Sequence, residues 1–365
     1  MTDLLRYLQR LWYQEDRSAR PLLDFLLHVL SLPYAAGIRL RNLLYDHGLL
    51  SIKRVSCPVV SVGNLVVGGT GKTPAVILIA RLLRNAGYRP AVLSRGYSGR
   101  NTKAVNVVSD GINIHASVED AGDEAILMAR SLQGTPVLTG PERYRTAQYA
   151  IDNLGCNVLV MDDGFQHRAL FRDLNIILVD SEKPLGNGFM LPRGPLREPL
   201  ESLKRADLLV LTRSDEDTIL TSQASLEKAF PDMPIFKARH RPKAVRSSKG
   251  VEVDPPAFLA GKKVLAFSGI AKPKSFEKTV QALGTSSLGF VSFPDHHLYT
   301  EEDIRDLESK TAGMSADLIL TTEKDAVKLS PFIRFYEKVY VLTIEMEITT
   351  PEGVFAEWLL NQLKS

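Results

Sequence analysis

A glycine-rich stretch between a predicted strand and a predicted helix limits the fold of this chain more than any other feature. Residues 61–74 read SVGNLVVGGTGKTP. The glycines let successive backbone N–H groups point at one phosphate, and the following helix adds its positive N-terminal end. Lys72 would reach the β and γ phosphates, and the Thr73 hydroxyl would hold Mg²⁺. The alternative is a tight structural turn with a solvated lysine. The residues that we expect to contact the nucleotide are Gly68, Gly69, Thr70, Gly71, Lys72, Thr73 and Pro74.

Short β-branched runs alternate with helical stretches from residue 58 onward, as in βαβ units around a parallel sheet. Several runs are almost continuously apolar, which suits strands that helices cover on both faces. The predicted strands after the first ones are 158–161, 175–179, 207–211, 264–268, 289–293, 318–321 and 339–343, with a closing helix near 351–363. We predict an α/β fold: a P-loop NTPase-like domain with a mostly parallel sheet, and a second, smaller α/β domain.

A length of 365 residues suits two domains, because domains usually run to roughly 100–200 residues. A polar, basic and proline-bearing stretch lies between the two strand sets and is predicted to link them. The predicted segments are an N-terminal amphipathic, membrane-associated helical segment at 1–54, the P-loop domain at 55–235, the inter-domain linker at 236–262 and the smaller C-terminal domain at 263–365.

The composition excludes several classes of protein. Hydrophobic residues make up 44% and charged residues 24%, values that argue against a disordered chain or a polytopic membrane protein. A net charge of +3 is far weaker than the dense basic stripe of a nucleic-acid binder, so no nucleic-acid partner is expected. The two cysteines, Cys57 and Cys156, stand apart from any zinc-type cluster and fit a reducing compartment. The start lacks the pattern of a secretory signal.

Residues 21–50 are much more apolar than their flanks, although Asp24, His28, Arg39 and Arg41 interrupt them. A transmembrane helix needs about 20 predominantly apolar residues, and the charged residues leave no charge-free span of 18 residues here. A helix in the membrane interface therefore fits better, with its leucines inserted and its arginines facing headgroups. The alternative is an amphipathic helix packed on its own domain.

Two adjacent acids, Asp162 and Asp163, follow the predicted buried strand 158–161. A P-loop site needs acidic groups at this place to hold the metal or its waters. The pair predicts metal ligands, and the alternative is a cap on the next helix.

Taken together, the motifs of this chain resemble one family, the tetraacyldisaccharide 4'-kinases of lipid A biosynthesis. The matching segments are GNLVVGGTGKTP, SRGY at 94–97, GDE at 122–124, GPERY at 140–144, DDGFQHR at 162–168, LPRGPLRE at 191–198, FSGIAKP at 267–273, FPDHHLYT at 293–300 and TTEKDAVK at 321–328. The strict P-loop pattern wants glycine where Val66 stands, but the family's own loop looks like this one. The resemblance implies a Mg-ATP-dependent enzyme that phosphorylates the 4'-hydroxyl of tetraacyldisaccharide 1-phosphate to form lipid IVA. It also implies two α/β domains joined by a two-stranded hinge.

The resemblance implies roles for individual residues. Asp123 would be the general base, working with His296 from the second domain, while Lys72 serves the phosphates. Glu124 would be a further Mg²⁺ ligand beside Thr73, in competition with Asp162 and Asp163. The alternatives are an N-cap for Asp123 and an ordinary first-turn acid for Glu124. The choice between His296 and its neighbour His297 rests on the motif alone.

Arginines are preferred for the anomeric phosphate of the substrate, because guanidinium matches phosphate oxygens as a bidentate fork. The residues that the resemblance assigns to the substrate are Arg95, Tyr97, Arg143, Gln166, His167, Arg197 and Glu198. Of these, Tyr97 and Glu198 would contact sugar hydroxyls. The alternative for each arginine is a solvated surface side chain.

The implied setting is the cytoplasmic face of the bacterial inner membrane, with the glycolipid and the membrane surface as partners and no obligate protein partner. One alternative is a membrane-linked P-loop GTPase switch or metallochaperone, because Thr212 to Asp215 read TRSD after a predicted strand. Arg213 stands there in place of the usual lysine. A third reading, a small-metabolite kinase, leaves the N-terminal helix unexplained.

Overall fold

The structure is a computed structural model, and it describes most of the chain. The described residues are 7–8, 11–13, 21–97, 99–100, 103–212, 219–247, 253–349 and 353–364.

The helices and strands follow one another in the alternation that the sequence predicts. The described helices are α1 (Pro21–Asp46), α2 (Lys72–Asn85), α3 (Val118–Ala121), α4 (Asp123–Ser131), α5 (Arg143–Leu154), α6 (Ile219–Ala229), α7 (Pro273–Ala282), α8 (Glu301–Met314), α9 (Glu323–Ala326), α10 (Ile333–Tyr336) and α11 (Val354–Gln362). The described strands are β1 (Val59–Gly63), β2 (Pro90–Ser94), β3 (Asn106–Ser109), β4 (Val137–Thr139), β5 (Val158–Asp162), β6 (Leu174–Asp180), β7 (Leu208–Thr212), β8 (Ile235–Ser247), β9 (Val253–Asp254), β10 (Lys263–Ser268), β11 (Ser287–Ser292), β12 (Leu318–Thr322) and β13 (Val339–Ile348).

The 13 described strands form one sheet in the order β11-β10-β12-β13-β8-β7-β6-β1-β5-β2-β4-β3, with β9 beside β8. Most pairs are parallel, whereas β13 with β8, β3 with β4 and β8 with β9 are antiparallel. The P-loop strand β1 lies between β5 and β6. The carboxyl ends of parallel neighbours meet at one edge of the sheet, which is where α/β proteins bind their ligands. The predicted α/β fold with a mostly parallel sheet is confirmed.

Strand β5 shows why the apolar runs are continuous. Val158 and Val160 belong to the core on one face of the sheet, and Leu159 and Met161 belong to the core on the other. Successive side chains of a strand point to opposite faces, so a strand that is covered on both must be apolar at every position.

Helix α2 covers one of these faces with a single apolar stripe. Val76, Ile79, Ala80 and Leu83 are spaced at helical intervals and are completely or almost completely buried. Burial of a side chain such as Leu83 or Ile79 contributes about 1.5–3 kcal/mol to stability. This packing fixes the start of α2, and therefore Lys72 and Thr73, against the end of β1.

The segment predicted as the inter-domain linker, 236–262, begins as regular structure. Strand β8 pairs with β7 in parallel and with β13 in antiparallel orientation, so it joins the two parts of the sheet. Pro242 lies beside a register shift between Thr343 and Ile344, and a bulge is where a sheet accepts a residue that lacks an N–H. The predicted domain boundaries remain a prediction.

The C-terminal helix α11 returns to the first part of the chain. Phe355 and Leu359 belong to the core that also holds Val60 and Ile79. The Phe355 ring lies edge-on to Phe236 of β8, with 5.3 Å between the ring centroids. The last helix of the predicted second domain thus packs on the core that β1 and α2 of the P-loop part help to form.

Candidate active site

The glycine-rich loop connects β1 to α2 and lines a large cleft. Gly68 and Gly71 have φ values of 124° and 86°, which suit glycine rather than a residue with a Cβ. Asn64 Nδ2 donates to Thr70 Oγ1 at 3.0 Å, and Gln166 Nε2 donates to the Asn64 carbonyl at 2.9 Å. These hydrogen bonds fix the conformation of the loop. All seven residues that were predicted to contact the nucleotide line the cleft.

Asp163 connects three parts of the site. The Lys72 ammonium lies 3.5 Å from its carboxylate, and Arg197 Nη1 donates to the same carboxylate at 2.8 Å. Burial alone would raise the pKa of Asp163, but the positive charges of Lys72 and Arg197 outweigh it and lower that pKa. Asp163 is therefore ionised, and it orients the P-loop lysine.

Asp162 lies deeper, at the end of β5, and accepts a hydrogen bond of 2.9 Å from the Ser94 hydroxyl. Burial raises the pKa of Asp162, and the negative charges of Glu124 and Asp163 raise it further. Asp162 therefore binds a proton more readily than a free aspartate does, and a cation placed beside it would favour its ionised form.

Asp123 and His296 meet across the cleft, although 173 positions separate them in the sequence. His296 Nδ1 lies 3.0 Å from Asp123 Oδ2, and the Asp123 side chain is only 4% exposed. The hydrogen bond that His296 donates to Asp123 raises the pKa of His296. Burial acts to raise the pKa of Asp123, but the hydrogen bond from His296 and the charge of Lys324 lower it. The pair is thus an ionised carboxylate held by an imidazole.

Local structure explains how the two residues reach each other. Gly122, with φ 85°, separates α3 from α4, so Asp123 begins α4 as a buried residue. Asp123 Oδ1 also accepts the Glu124 backbone N–H at 2.9 Å, but the N-cap position of α4 belongs to Gly122 and not to Asp123. His296 has a φ of 58°, in the left-handed region where a residue with a Cβ is strained. Strain of this kind is common where a side chain must be aimed at a functional site.

The neighbouring histidine has a different environment. His297 Nε2 lies 2.9 Å from Asp303 Oδ2, and its ring stacks on Phe293 with 4.8 Å between the centroids. The geometry therefore brings His296, and not His297, to Asp123.

The residues predicted to bind the substrate separate into two groups. Those that line the cleft are Arg95, Tyr97, Arg143, Gln166, His167 and Arg197. Burial and the nearby charge of Arg143 lower the pKa of His167 to about 4, so this imidazole is neutral near pH 7. Arg143 Nη1 donates to the Gly140 carbonyl at 2.6 Å, which fixes the direction of its guanidinium.

Glu198 belongs to the second group, because it is not among the residues that line the cleft. Its side chain is completely buried and forms ion pairs with Arg41 of α1, at 2.6 Å, and with Arg205. Asn42 Nδ2 adds a hydrogen bond at 3.2 Å. Glu198 therefore fastens α1 to the P-loop part of the chain, and its contact with a sugar hydroxyl stays a prediction.

The cleft has a volume of 1440 Å³ and is lined from both parts of the chain. Lys324, Asp295 and His240 are lining residues to which the sequence analysis gave no role. Two of them lie in quoted family segments, TTEKDAVK and FPDHH, so the motifs contained the signal. Their partners became visible only in the fold.

A P-loop that lines a cleft beside an ionised acid is typical of P-loop phosphotransferases, because the backbone amides can bind phosphate and the acid can take the proton of a hydroxyl. That class follows from the fold and the cleft together. The family model for tetraacyldisaccharide-1-P 4'-kinase, LpxK, matches residues 23–364, and the chain belongs to this family.

Similar proteins agree with the family over almost the whole chain. The tetraacyldisaccharide 4'-kinase of Syntrophus aciditrophicus is 44% identical over 366 residues, covering 98% of each chain. The one from Geobacter metallireducens is 43% identical over 90% of this chain and 95% of its own. A crystal structure of the "apo" form of LpxK from Aquifex aeolicus in complex with ATP is 35% identical, with a TM-score of 0.77, and the match covers 94% of this chain and 100% of that one.

The predicted activity is confirmed: the chain is an ATP-dependent tetraacyldisaccharide 4'-kinase of lipid A biosynthesis. Membership of this family argues against the two alternative functions, the small-metabolite kinase and the GTPase switch or metallochaperone. Of the TRSD element, Arg213 to Asp215 lie outside the described residues.

Proposed function

We propose that this kinase uses Asp123 as the proton acceptor for the 4'-hydroxyl of tetraacyldisaccharide 1-phosphate, on a Mg-ATP complex held by the P-loop, at the cytoplasmic face of the inner membrane. The observation that carries the proposal is the contact of 3.0 Å between Asp123 and His296, beside the cleft that the P-loop lines. Phosphoryl transfer needs an aligned hydroxyl, neutralised phosphate charge and a group that takes the hydroxyl proton.

The P-loop residues divide the work on the triphosphate. Backbone N–H groups from Gly68 to Gly71 bind phosphate oxygens, and Lys72 neutralises the charge that develops on the γ-phosphate. Asp163 keeps Lys72 directed into the cleft through their contact at 3.5 Å. The hydroxyl oxygen then bonds to the γ-phosphorus as the bond to the β,γ-bridging oxygen breaks, and the hydroxyl proton passes to Asp123.

The acids beside the loop fit magnesium that arrives with the nucleotide. In the parts of the chain that the structure describes, no set of three or more His, Cys, Asp or Glu side chains is arranged to hold a metal ion by itself. Kinases usually hold Mg²⁺ with one or two carboxylates, waters and the phosphates of the substrate. Thr73, Asp162 and Glu124, with Asp163 behind them, would hold the ion, which neutralises phosphate charge when bound.

The arginines of the cleft are suited to the anomeric phosphate of the disaccharide. Arg95 and Arg143 line the cleft on the side of β2 and α5, and the exposed ring of Tyr97 lies beside His296, with 5.8 Å between the ring centroids. Gln166 and His167 add neutral polar groups for sugar hydroxyls. Arg197 contributes through Asp163, to which it is already bound.

Helix α1 gives the enzyme a surface for the bilayer. It is 26 residues long and, among the described helices, the one that is long and apolar enough to cross a membrane. The Leu22 and Phe25 side chains are 73% and 62% exposed, so much of the apolar face is uncovered. The C-terminal half is bound to the P-loop part through Arg41 and Asn42. A helix held in this way can lie in the interface and bring the cleft to a substrate that is confined there by its acyl chains.

The catalytic proposal is tested by phosphate transfer from γ-labelled ATP to tetraacyldisaccharide 1-phosphate in detergent. Asp123→Asn should reduce kcat by about 10² or more, because a proton acceptor is lost, with unchanged ATP affinity by calorimetry. Asp152→Asn, on the exposed side of α5, is the control and should leave kcat unchanged. An Asp123→Asn enzyme with normal kcat would remove Asp123 from the mechanism.

The membrane proposal is tested by flotation with vesicles of anionic phospholipid. Replacing both Leu22 and Phe25 with Glu should abolish flotation and preserve ATP binding, because charge at those positions cannot enter the interface. Ile112→Glu is the control, since Ile112 is 89% exposed and lies in the loop after β3. Equal flotation of the two variants would contradict the proposed membrane surface.

A further inference from the structure

Lys324 occupies the centre of a charged cluster that connects the two parts of the chain. Its ammonium lies 3.3 Å from Glu124 Oε1, 3.2 Å from Asp295 Oδ1 and 3.2 Å from His296 Nε2. The side chain is only 17% exposed. Three acceptor atoms, two of them carboxylate oxygens, lie within 3.3 Å of the amine, one for each N–H of an ammonium. The amine is therefore protonated.

The backbone that carries Lys324 is fixed on both sides. Thr322 caps α9 by accepting the Asp325 N–H at 3.1 Å, and its hydroxyl donates to Asp325 Oδ2 at 2.7 Å. The Gly269 N–H donates to the same carboxylate at 3.0 Å, and Lys328 pairs with its other oxygen at 2.8 Å. Asp325 and the Lys328 side chain are almost completely buried. Such an anchor keeps Lys324 aimed at the cluster, as precise positioning requires.

The donor and acceptor roles in the cluster follow from elementary chemistry. A protonated amine has three N–H donors and no acceptor, so His296 Nε2 must offer its lone pair to Lys324. A neutral imidazole then carries its proton on Nδ1, which donates to Asp123 Oδ2. Without Lys324, Nε2–H would face Asp295, whose Oδ2 is 3.8 Å away. The two tautomers would then compete.

We propose that Lys324 is a positioning residue that holds His296 in its Nδ1–H tautomer and so reserves proton acceptance for Asp123. An imidazole whose Nε2 faces an ammonium cannot take the hydroxyl proton at that nitrogen. His296 instead holds the Asp123 carboxylate by one hydrogen bond, which leaves the remaining lone pairs of that carboxylate for the substrate.

The kinetic part of this inference rests on the proposed function of Asp123, whereas the tautomer does not. In the transfer step the hydroxyl proton passes to a carboxylate oxygen of Asp123, and the Nδ1 proton of His296 stays in place. Lys324 and His296 exchange no proton, and the electron pair of the breaking P–O bond leaves with ADP.

The tautomer is measured by ¹⁵N NMR of ligand-free protein labelled at histidine, above the raised pKa of His296. The chain has seven histidines, and His296→Asn identifies the wanted signal by its loss. We expect the wild type to show a protonated Nδ1 and an acceptor Nε2. In Lys324→Met the ratio of the two tautomers should shift by about tenfold or more, because a charge-assisted hydrogen bond to Nε2 is lost.

Kinetics of the same variants give the second readout. Lys324→Met should lower kcat by about ten- to a hundredfold through misplacement of Asp123 and His296, with KM for ATP within about twofold. Lys324→Gln keeps one N–H donor for Nε2, so it should recover part of the tautomer ratio and part of kcat. Lys310→Met is the control, because Lys310 is exposed on α8 and pairs only with Asp306 among the contacts that the structure describes. It should change neither readout.

The outcomes separate this inference from the proposed function. An unchanged tautomer ratio in Lys324→Met would overturn it, whatever happens to kcat. A shifted ratio with normal kcat would show that the tautomer has no part in transfer and would also overturn it. Loss of activity in Asp123→Asn tests the proton acceptor independently. If Lys324→Met fails to fold by circular dichroism, Lys324→Gln decides by the same two readouts.

Discussion

The buried carboxylate of Glu198 offers the most direct test of how α1 is attached to the enzyme. Glu198→Gln keeps the shape of the side chain and removes its charge, so Arg41 and Arg205 lose their common partner. Breaking a buried ion pair by removing one partner costs about 3–5 kcal/mol. The Arg41 side chain is 33% exposed and regains water, and the amide oxygen still accepts one hydrogen bond. We therefore expect a loss of about 2–3 kcal/mol in the free energy of unfolding.

Urea unfolding followed by circular dichroism measures this loss. Glu201→Gln is the matched control, because Glu201 is exposed three positions away and should change the free energy of unfolding by less than about 0.5 kcal/mol. An unfolding midpoint for Glu198→Gln equal to that of the wild type, with the same dependence on urea, would refute the structural role. A reduced kcat/KM for the lipid at unchanged stability would instead support the predicted contact of Glu198 with the sugar.

Two further predictions concern the cleft. Gly71→Ala should weaken Mg-ATP binding by about tenfold or more, as measured by calorimetry. The left-handed φ of 86° costs about 1–2 kcal/mol for alanine, and the new Cβ would lie 2.7 Å from His240 Nε2. Gly87→Ala is the control, because Gly87 has the same kind of φ but a Cβ there would have no neighbour within 4 Å. Normal Mg-ATP binding by Gly71→Ala, or an equal loss of binding in both variants, would contradict this reasoning. For His167, whose pKa falls to about 4 in the folded chain, the unfolded state takes up a proton first as the pH drops below 6.5. The wild type should therefore lose stability relative to His167→Gln between pH 6.5 and 4, by at most about 1.4 kcal/mol per pH unit. The same difference in the free energy of unfolding between the two proteins at pH 7 and at pH 5 would contradict this prediction.

The sequence predicts the fold where local pattern and tertiary environment agree. The run at 158–161 is apolar at each position because β5 is buried on both faces, and the structure extends it only to Asp162. Strand β8 was not predicted from the sequence, because Pro242 and the basic residues around it are typical of a linker, which is what was predicted at 236–262. Its partner β13 supplies the pairing that its own composition does not indicate.

The residues of the site likewise fall into those that a local sequence pattern indicates and those that only the fold brings together. Residues of the P-loop are contiguous, so their pattern alone indicates their chemistry. Asp123 and His296 are 173 positions apart, and only the family motif connected them before the fold did. The proposed role of Lys324 depends on which nitrogen of His296 it faces, and that orientation results from tertiary packing.

Three contacts across the cleft have the same polarity, with the acid in the first part of the chain and the base in the second. Asp123, Glu124 and Asp180 lie in the first part of the chain, and they meet His296, Lys324 and Lys272, respectively, from the second. The P-loop also lies close to the second part of the chain: a Cβ on Gly69 would lie 3.2 Å from Ala271. Glycine at this position and the three charged contacts both favour the close approach of the two parts. The proposed proton acceptor therefore meets its histidine only when the two parts of the chain are together, and we expect transfer to take place in a closed cleft that excludes water.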